Sequence, residues 1–284
     1  MTKELIFLKL GGSLITDKDK PYTPRLDKLA DLAHEIKTVL DSTPDLLLIL
    51  GHGSGSFGHT AAKKYGTRDG LASLAPSGHS PHFLGKWGEM EADYWKGFVE
   101  VRFQAAELNR YVMESLLNAG VPSIPFSPSS SMVSNNRKVT SHNAMAIRKA
   151  LDAHLLPVVH GDVAFDEVLG GTILSTEDVF AFLMEQFSPT RILLAGIEAG
   201  VWEDFPARTK LVKQIQLSDY EKMRAGIGGS ASTDVTGGMQ AKVEEMLALI
   251  QKNKALTVQI FSAEESGHLT RALKGENVGT LLRE

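Results

Sequence analysis

Short uninterrupted apolar runs alternate along the chain with longer stretches in which apolar residues return every third or fourth position. The first run, Leu5-Ile6-Phe7-Leu8-Lys9-Leu10, ends in Gly11-Gly12 and predicts a strand. From Arg25 to Leu40 the apolar positions are Leu26, Leu29, Leu32, Ala33, Ile36, Val39 and Leu40, which is helical spacing. Leu46–Leu50 follows as a second continuous apolar run, bounded by Pro44-Asp45 and Gly51. Such strands belong in a parallel sheet covered on both faces, and the βαβ crossover between them should be right-handed.

The longest helical pattern runs from about Trp87 to Ala119, with Trp87, Met90, Tyr94, Phe98, Val101, Ala105, Leu108 and Val112 on one stripe. Beyond it the pattern predicts strands at Ser123–Phe126, Lys138–Thr140 and Leu155–Val159, and a helix near Ala144–Ala153. Phe165–Ile173, with Gly170-Gly171 inside it, reads as a hairpin. Ser175 or Thr176 should cap a helix reaching Phe187, and Arg191–Ala195 is a further strand. The last third repeats the theme, with helices at Ser218–Ala225, Met239–Gln251 and Gly267–Leu273 and strands at Leu256–Phe261 and Val278–Leu282. Arg68–Lys86 reads as the mobile loop. The fold class is therefore α/β, a three-layer α/β/α sandwich with a mainly parallel central sheet, built as one domain over residues 1–284.

Composition narrows the chemistry. The 284 residues include no cysteine, which excludes disulfide frameworks, zinc–thiolate sites, iron–sulfur clusters and thiol nucleophiles. With 30 Lys and Arg against 34 Asp and Glu, the net charge of −4 argues against phosphate-backbone binding to nucleic acid. No apolar run approaches the ~20 residues that span a bilayer, and no secretory signal is evident, so a cytoplasmic protein with no membrane partner is expected.

Three glycine turns could carry chemistry. Gly53-Ser54-Gly55-Ser56-Phe57-Gly58 follows the second strand and is a literal G-x-G-x-x-G. A dinucleotide fold would need a next strand ending in Asp or Glu ~20 residues on, and Thr67–Ser80 is a polar stretch instead. Lys9-Leu10-Gly11-Gly12-Ser13 ends the first strand, at the sheet edge where open α/β folds bind ligands. Asp234-Val235-Thr236-Gly237-Gly238-Met239 opens a helix, with Lys242 one turn in. A helix N-terminus with a nearby lysine favours an anion, although each turn alone is also an ordinary tight turn.

In order along the chain, Lys9–Ser13, Gly51-His52-Gly53-Ser54-Gly55-Ser56-Phe57-Gly58-His59, Val159-His160-Gly161-Asp162 and Asp234–Met239 resemble the amino acid kinase superfamily and, within it, the isopentenyl phosphate kinases. The resemblance implies ATP-dependent phosphorylation of isopentenyl phosphate to isopentenyl diphosphate. It implies that Lys9 and the amides of Gly11, Gly12 and Ser13 hold the ATP phosphates, and that Lys18 stabilises the transferring phosphoryl group. Ser54 and Gly55 would lie between acceptor phosphate and nucleotide. His59 would hydrogen-bond the acceptor phosphate, Gly161 would contact it through its amide, and Gly238 and Lys242 would complete the nucleotide side. Lys9, Lys18 and His59 are thus the expected catalytic residues. Mg²⁺ would arrive with ATP, so no all-protein metal site is expected. A homodimer is implied, with an acceptor-binding lobe at about 1–160 and a nucleotide-binding lobe at about 161–284.

Phosphoryl transfer suits such residues, because it depends on positioning and on charge neutralisation rather than covalent help from the protein. Asp162 and Glu177 are candidates for orienting the lysines, or else caps. Gly196-Ile197-Glu198-Ala199-Gly200-Val201-Trp202 departs from the D-V-D-G-V-Y type of pattern common in such proteins, which bears on nucleotide preference. Alternative readings are a kinase for another small phosphate or phosphonate such as fosfomycin, a non-catalytic nucleotide-binding protein of the same fold, and an NAD-dependent oxidoreductase.

Overall fold

The computed structural model describes residues 4–74, 83–142, 144–220 and 238–284. The chain begins with β1 (Leu5–Leu10), the short α1 (Gly12–Ile15), α2 (Leu26–Ser42), β2 (Leu47–His52) and α3 (Gly55–Tyr65). The long α4 (Phe83–Asn118) leads to β3 (Ser123–Phe126), α5 (Pro128–Ser131), β4 (Met132–Asn135), β5 (Lys138–His142), α6 (Met145–Asp152) and β6 (Leu156–His160). Next come β7 (Asp162–Asp166), β8 (Gly170–Leu174), α7 (Thr176–Phe187) and β9 (Arg191–Gly196). The short strands β10 (Val201–Trp202), β11 (Leu211–Val212) and β12 (Gln214–Gln216) follow. The chain closes with α8 (Gly238–Lys252), β13 (Thr257–Ser262), α9 (His268–Leu273) and β14 (Thr280–Arg283).

Among the described residues the central sheet has eight strands in the order β12-β14-β13-β9-β1-β2-β6-β3. All its pairings are parallel except β13 with β14. Alternation along β1 shows how both faces are covered. Leu5 and Phe7 enter the core beneath α6, α7 and α8, whereas Ile6, Leu8 and Leu10 enter the core beneath α2, α4 and α9. That is the three-layer sandwich the apolar runs predict.

Local chemistry explains the element ends. At α7, Ser175 accepts from Asp178 N at 3.0 Å and Asp178 accepts from Ser175 N at 2.7 Å, a reciprocal capping box. Ser175, not Thr176 or Glu177, is therefore the cap. α3 ends on Gly66 at φ +61°, the left-handed turn that glycine adopts without penalty.

Other elements depart from the pattern. α3 carries two glycines and no continuous apolar stripe, so its periodicity is weak. α4 starts at Phe83, so the expected Arg68–Lys86 loop is shorter; its residues 75–82, including His79 and His82, lie outside the described residues. A second, four-stranded sheet, β5-β4-β7-β8, is built from the predicted hairpin and the strand expected at Lys138–Thr140, together with β4, which the sequence pattern does not mark. The expected Ser218–Ala225 helix, from residue 221 on, and Asp234–Gly237 also lie outside the described residues.

Candidate active site

The carboxyl ends of β1, β2, β6 and β9 open into a cavity of about 690 Å³, a volume typical of small-molecule sites. Lys9, Gly11, Gly12, Ser13, Lys18, Ser54, Gly55, His59, Gly161, Gly238 and Lys242 all line it. Residues scattered over more than 230 positions of sequence are thus brought to one place by the strand order, since β1 is flanked by β2 and β9.

The two glycine turns after β1 and β2 pack back to back. A Cβ on Gly12 would overlap the N and Cα of Gly55, and one on Gly53 would stand 2.8 Å from Gly12 N. Gly55 has φ +49°, and a side chain there would strike Thr16. Glycine is needed because the turns touch, and their contact sets the separation of whatever each binds.

Helix starts leave amides without intrahelical acceptors. At α1, Leu14 N donates to Gly11 O at 2.9 Å, which leaves the Gly12 and Ser13 amides at the cavity. At α3, Ser56 N donates to Thr16 Oγ1 at 3.0 Å and Phe57 N to Ser54 O at 3.1 Å, leaving the Gly55 amide. Two expected amide contacts are otherwise engaged. Gly11 N donates to Ala195 O at 2.7 Å, and Gly161 N donates to His52 O at 3.2 Å. Both glycines line the cavity, but their N–H groups serve the sheet edge: strands that end side by side pair their first turn residues across the gap.

Charge converges on the same space. Lys9 and Glu177 form an ion pair, and both side chains are largely buried. Burial pushes the Glu177 carboxyl up, but the ammonium of Lys9, and then that of Lys242, outweigh it and hold the group below its ordinary range. Glu177 thus orients lysine, as one of its two expected roles required. Asp162 does not: its carboxylate accepts from Val163 N at 2.8 Å and lies 3.7 Å from Arg102. Burial nonetheless raises its pKa.

Lys18 projects from an exposed turn pinned at its base, where Asp17 N donates to Thr23 O at 2.9 Å. Arg68, Lys63 and Arg208 add cations to the wall, and no local motif announces them in the sequence. In the divergent Gly196–Trp202 segment, Glu198 accepts from the Trp202 indole at 3.0 Å and from Arg208 at 2.9 Å. Its side chain is a clip for the cavity wall. Among the described residues no group of three or more His, Cys, Asp or Glu side chains could hold a metal ion.

Fold and site define a sheet-edge cleft with paired glycine turns and converging lysines, the equipment of a phosphotransferase that handles two anionic ligands. The chain belongs to the amino acid kinase family, which its residues 4–262 match. Isopentenyl phosphate kinases are among the proteins it resembles. The protein of that name from Methanocaldococcus jannaschii is 33% identical over 280 residues, 97% of each chain. Its counterpart from Methanothermobacter thermautotrophicus is 32% identical, over 96% of this chain and 97% of that protein. A solved isopentenyl phosphate kinase structure superposes with a TM-score of 0.79 at 27% identity, covering 98% of this chain and all of the other.

Proposed function

We propose that this enzyme transfers the γ-phosphoryl group of ATP to isopentenyl phosphate, forming isopentenyl diphosphate and ADP. The observation that carries the reading is the back-to-back packing of the Gly11–Ser13 and Gly53–Gly55 turns beside the Lys9–Glu177 pair. Two phosphate-binding turns in contact hold a donor and an acceptor phosphate within reach of in-line transfer. Nucleotide phosphates lie on the Gly12 and Ser13 amides, with Gly238 and Lys242 on their far side. The acceptor lies over Ser54, Gly55, His59 and Gly161.

The acceptor is itself a phosphate monoester, so its oxygen is already a nucleophile and needs no strong base. The enzyme's task is to offset repulsion between two anions and the charge on the equatorial oxygens of the transferring group. Lys9, held by Glu177, and Lys18, carried on its turn, supply cations to that group. His59 orients the acceptor oxygen by a hydrogen bond. MgATP is the nucleotide substrate, its metal carried on phosphate oxygens and water, with the cavity's cations turned to the remaining phosphate charge.

The two lobes, acceptor-binding at about 1–160 and nucleotide-binding at about 161–284, are supported by β2, β6 and β3 lying on one side of β1 and β9 and β13 on the other. A homodimer is the assembly we assign, supported by the exposed Val99, Phe103 and Phe165, 64%, 61% and 54% accessible. We assign the enzyme to the cytoplasm, where MgATP is available; no helix among the described residues is long and apolar enough to cross a membrane.

Phosphorus NMR of a mixture with MgATP and isopentenyl phosphate tests the reading. Loss of the monoester resonance and growth of two coupled diphosphate signals, in step with ADP, is the expected result. ATP hydrolysis with the monoester unchanged would contradict it.

A further inference from the structure

The row of residues at the carboxyl edge of the central sheet changes character halfway across. In register from β9 through β1 to β2 and β6 it reads Ala195, Leu10, His52 and His160. The first two are apolar members of the helix-covered core. The next two are imidazoles, 1% and 0% exposed, stacked at 5.1 Å with 16° between their planes. No step described above uses either ring.

Burying two imidazoles side by side is costly unless their nitrogens are satisfied. His52 Nδ1 lies 3.1 Å from Gly53 O and its Nε2 3.1 Å from Asn109 Oδ1 on α4. His160 Nδ1 lies 3.2 Å from Gly161 O and its Nε2 3.1 Å from Ser127 Oγ. A carbonyl only accepts, so Nδ1 carries the proton in both rings. Nε2 of His160 then accepts the Ser127 hydroxyl. The same tautomer at His52 calls for the Asn109 carboxamide to turn its amino group to the ring. Burial keeps both rings neutral: it lowers His52, which also faces His160 and Lys9, to about 3, and His160, which faces Arg102, to about 4.

The carbonyls these rings hold belong to Gly53 and Gly161, the two turns assigned above to the acceptor. In a planar trans peptide C=O and N–H point in opposite directions. A proton held on Gly53 O from the core side therefore turns the Ser54 amide towards the cavity. Gly161 N and Thr176 Oγ1 both donate to His52 O, at 3.2 and 2.7 Å, so the turns are tied to each other as well. We infer that His52 and His160 are positioning residues for the acceptor: the stacked pair fixes the peptide planes of both acceptor turns from behind, and so sets where the acceptor phosphate sits against the nucleotide turn. The inference rests on the functional reading above.

Steady-state kinetics with MgATP and isopentenyl phosphate test it. His52→Leu and His160→Leu remove the Nδ1 donor, whereas His52→Asn and His160→Asn keep a donor in that place. In the Leu variants KM for isopentenyl phosphate should rise at least about tenfold while KM for ATP stays within about twofold, and the Asn variants should recover most of the loss. A space-filling role would lower the melting temperature of Leu and Asn variants alike and leave both KM values of the folded enzyme unmoved. That result, or a parallel rise in both KM values, overturns the inference. Should a Leu variant fail to fold, Asn109→Ala and Ser127→Ala each remove one Nε2 partner and leave the rings in place. A rise of about threefold in the acceptor KM alone supports the pair, and no change contradicts it. A wild type inert towards isopentenyl phosphate would sink the functional reading itself, whereas an active wild type with unshifted variants would sink the histidine pair alone.

Discussion

At Lys9 a largely buried cation depends on a largely buried carboxylate, and neither is tolerable there without the other. Glu177→Gln keeps the shape and removes the charge that aims the lysine. Its kcat should fall by about tenfold or more, as expected when charge positioning at the transferring group is lost; an unchanged kcat would remove Glu177 from the mechanism. His59→Ala separates the two substrates: acceptor turnover should collapse while ATP affinity, measured by titration calorimetry, changes little. Equal loss of ATP binding would place His59 elsewhere. The lysines and glycines were legible in the sequence because their motifs are local. Why Gly12 and Gly53 must be glycine was not, since each meets residues about 40 positions away. The same holds for His52 and His160, whose stacking depends on the β2–β6 register, and for Arg68, which no motif marks.

At the scale of elements, buried polar groups pin the strand ends and make measurable demands on stability. Asp166 is buried at the end of β7, and its carboxylate gathers the amides of Asn136, Arg137, Val168 and Leu169 at 2.8 to 3.1 Å, with Ser134 Oγ at 2.7 Å. Burial pushes this carboxyl up, yet the donors bring it down to about 2. Asp166→Ala should cost about 3 kcal/mol of unfolding free energy, because it orphans several amides of the second sheet at once. Urea unfolding checks this, and a loss under about 1 kcal/mol would contradict it.

The histidine pair at the ends of β2 and β6 adds a pH dependence. Unfolded histidine takes up its proton near pH 6.5, whereas the folded rings stay neutral down to about 3 and about 4. In that interval the unfolded state binds more protons, so the contribution of each ring is complete above pH 6.5 and is lost as pH falls, by about 1.4 kcal/mol per pH unit. Between pH 7 and pH 5 the His160→Asn variant should therefore lose about 2 kcal/mol less stability than the wild type. Parallel losses would mean that His160 is charged in the folded protein. Long elements such as α2 and α4 were readable from periodicity. The four-residue β4 and the glycine-bearing α3 were not, because pairing and packing, rather than pattern, make them.

For the whole molecule, the sheet order is what turns separated motifs into one site. β1 sits at the centre between β2 and β9, so the turns that follow β1 and β2 face one cavity at the carboxyl edge. The alternation of apolar runs foretold the sandwich and its parallel strands. It held no information on strand order or on the second sheet, which are settled by contacts between distant segments. Although the chain carries a net charge of −4, the cavity wall gathers Lys9, Lys18, Lys63, Arg68, Arg208 and Lys242. Such a distribution suits two phosphate-bearing ligands. The direct test compares kcat/KM for isopentenyl phosphate, dimethylallyl phosphate and fosfomycin at saturating MgATP. Isopentenyl phosphate should exceed fosfomycin by at least about a hundredfold, the selectivity expected when an apolar tail and a monoester phosphate are both recognised. A value for isopentenyl phosphate no better than that for fosfomycin would contradict it.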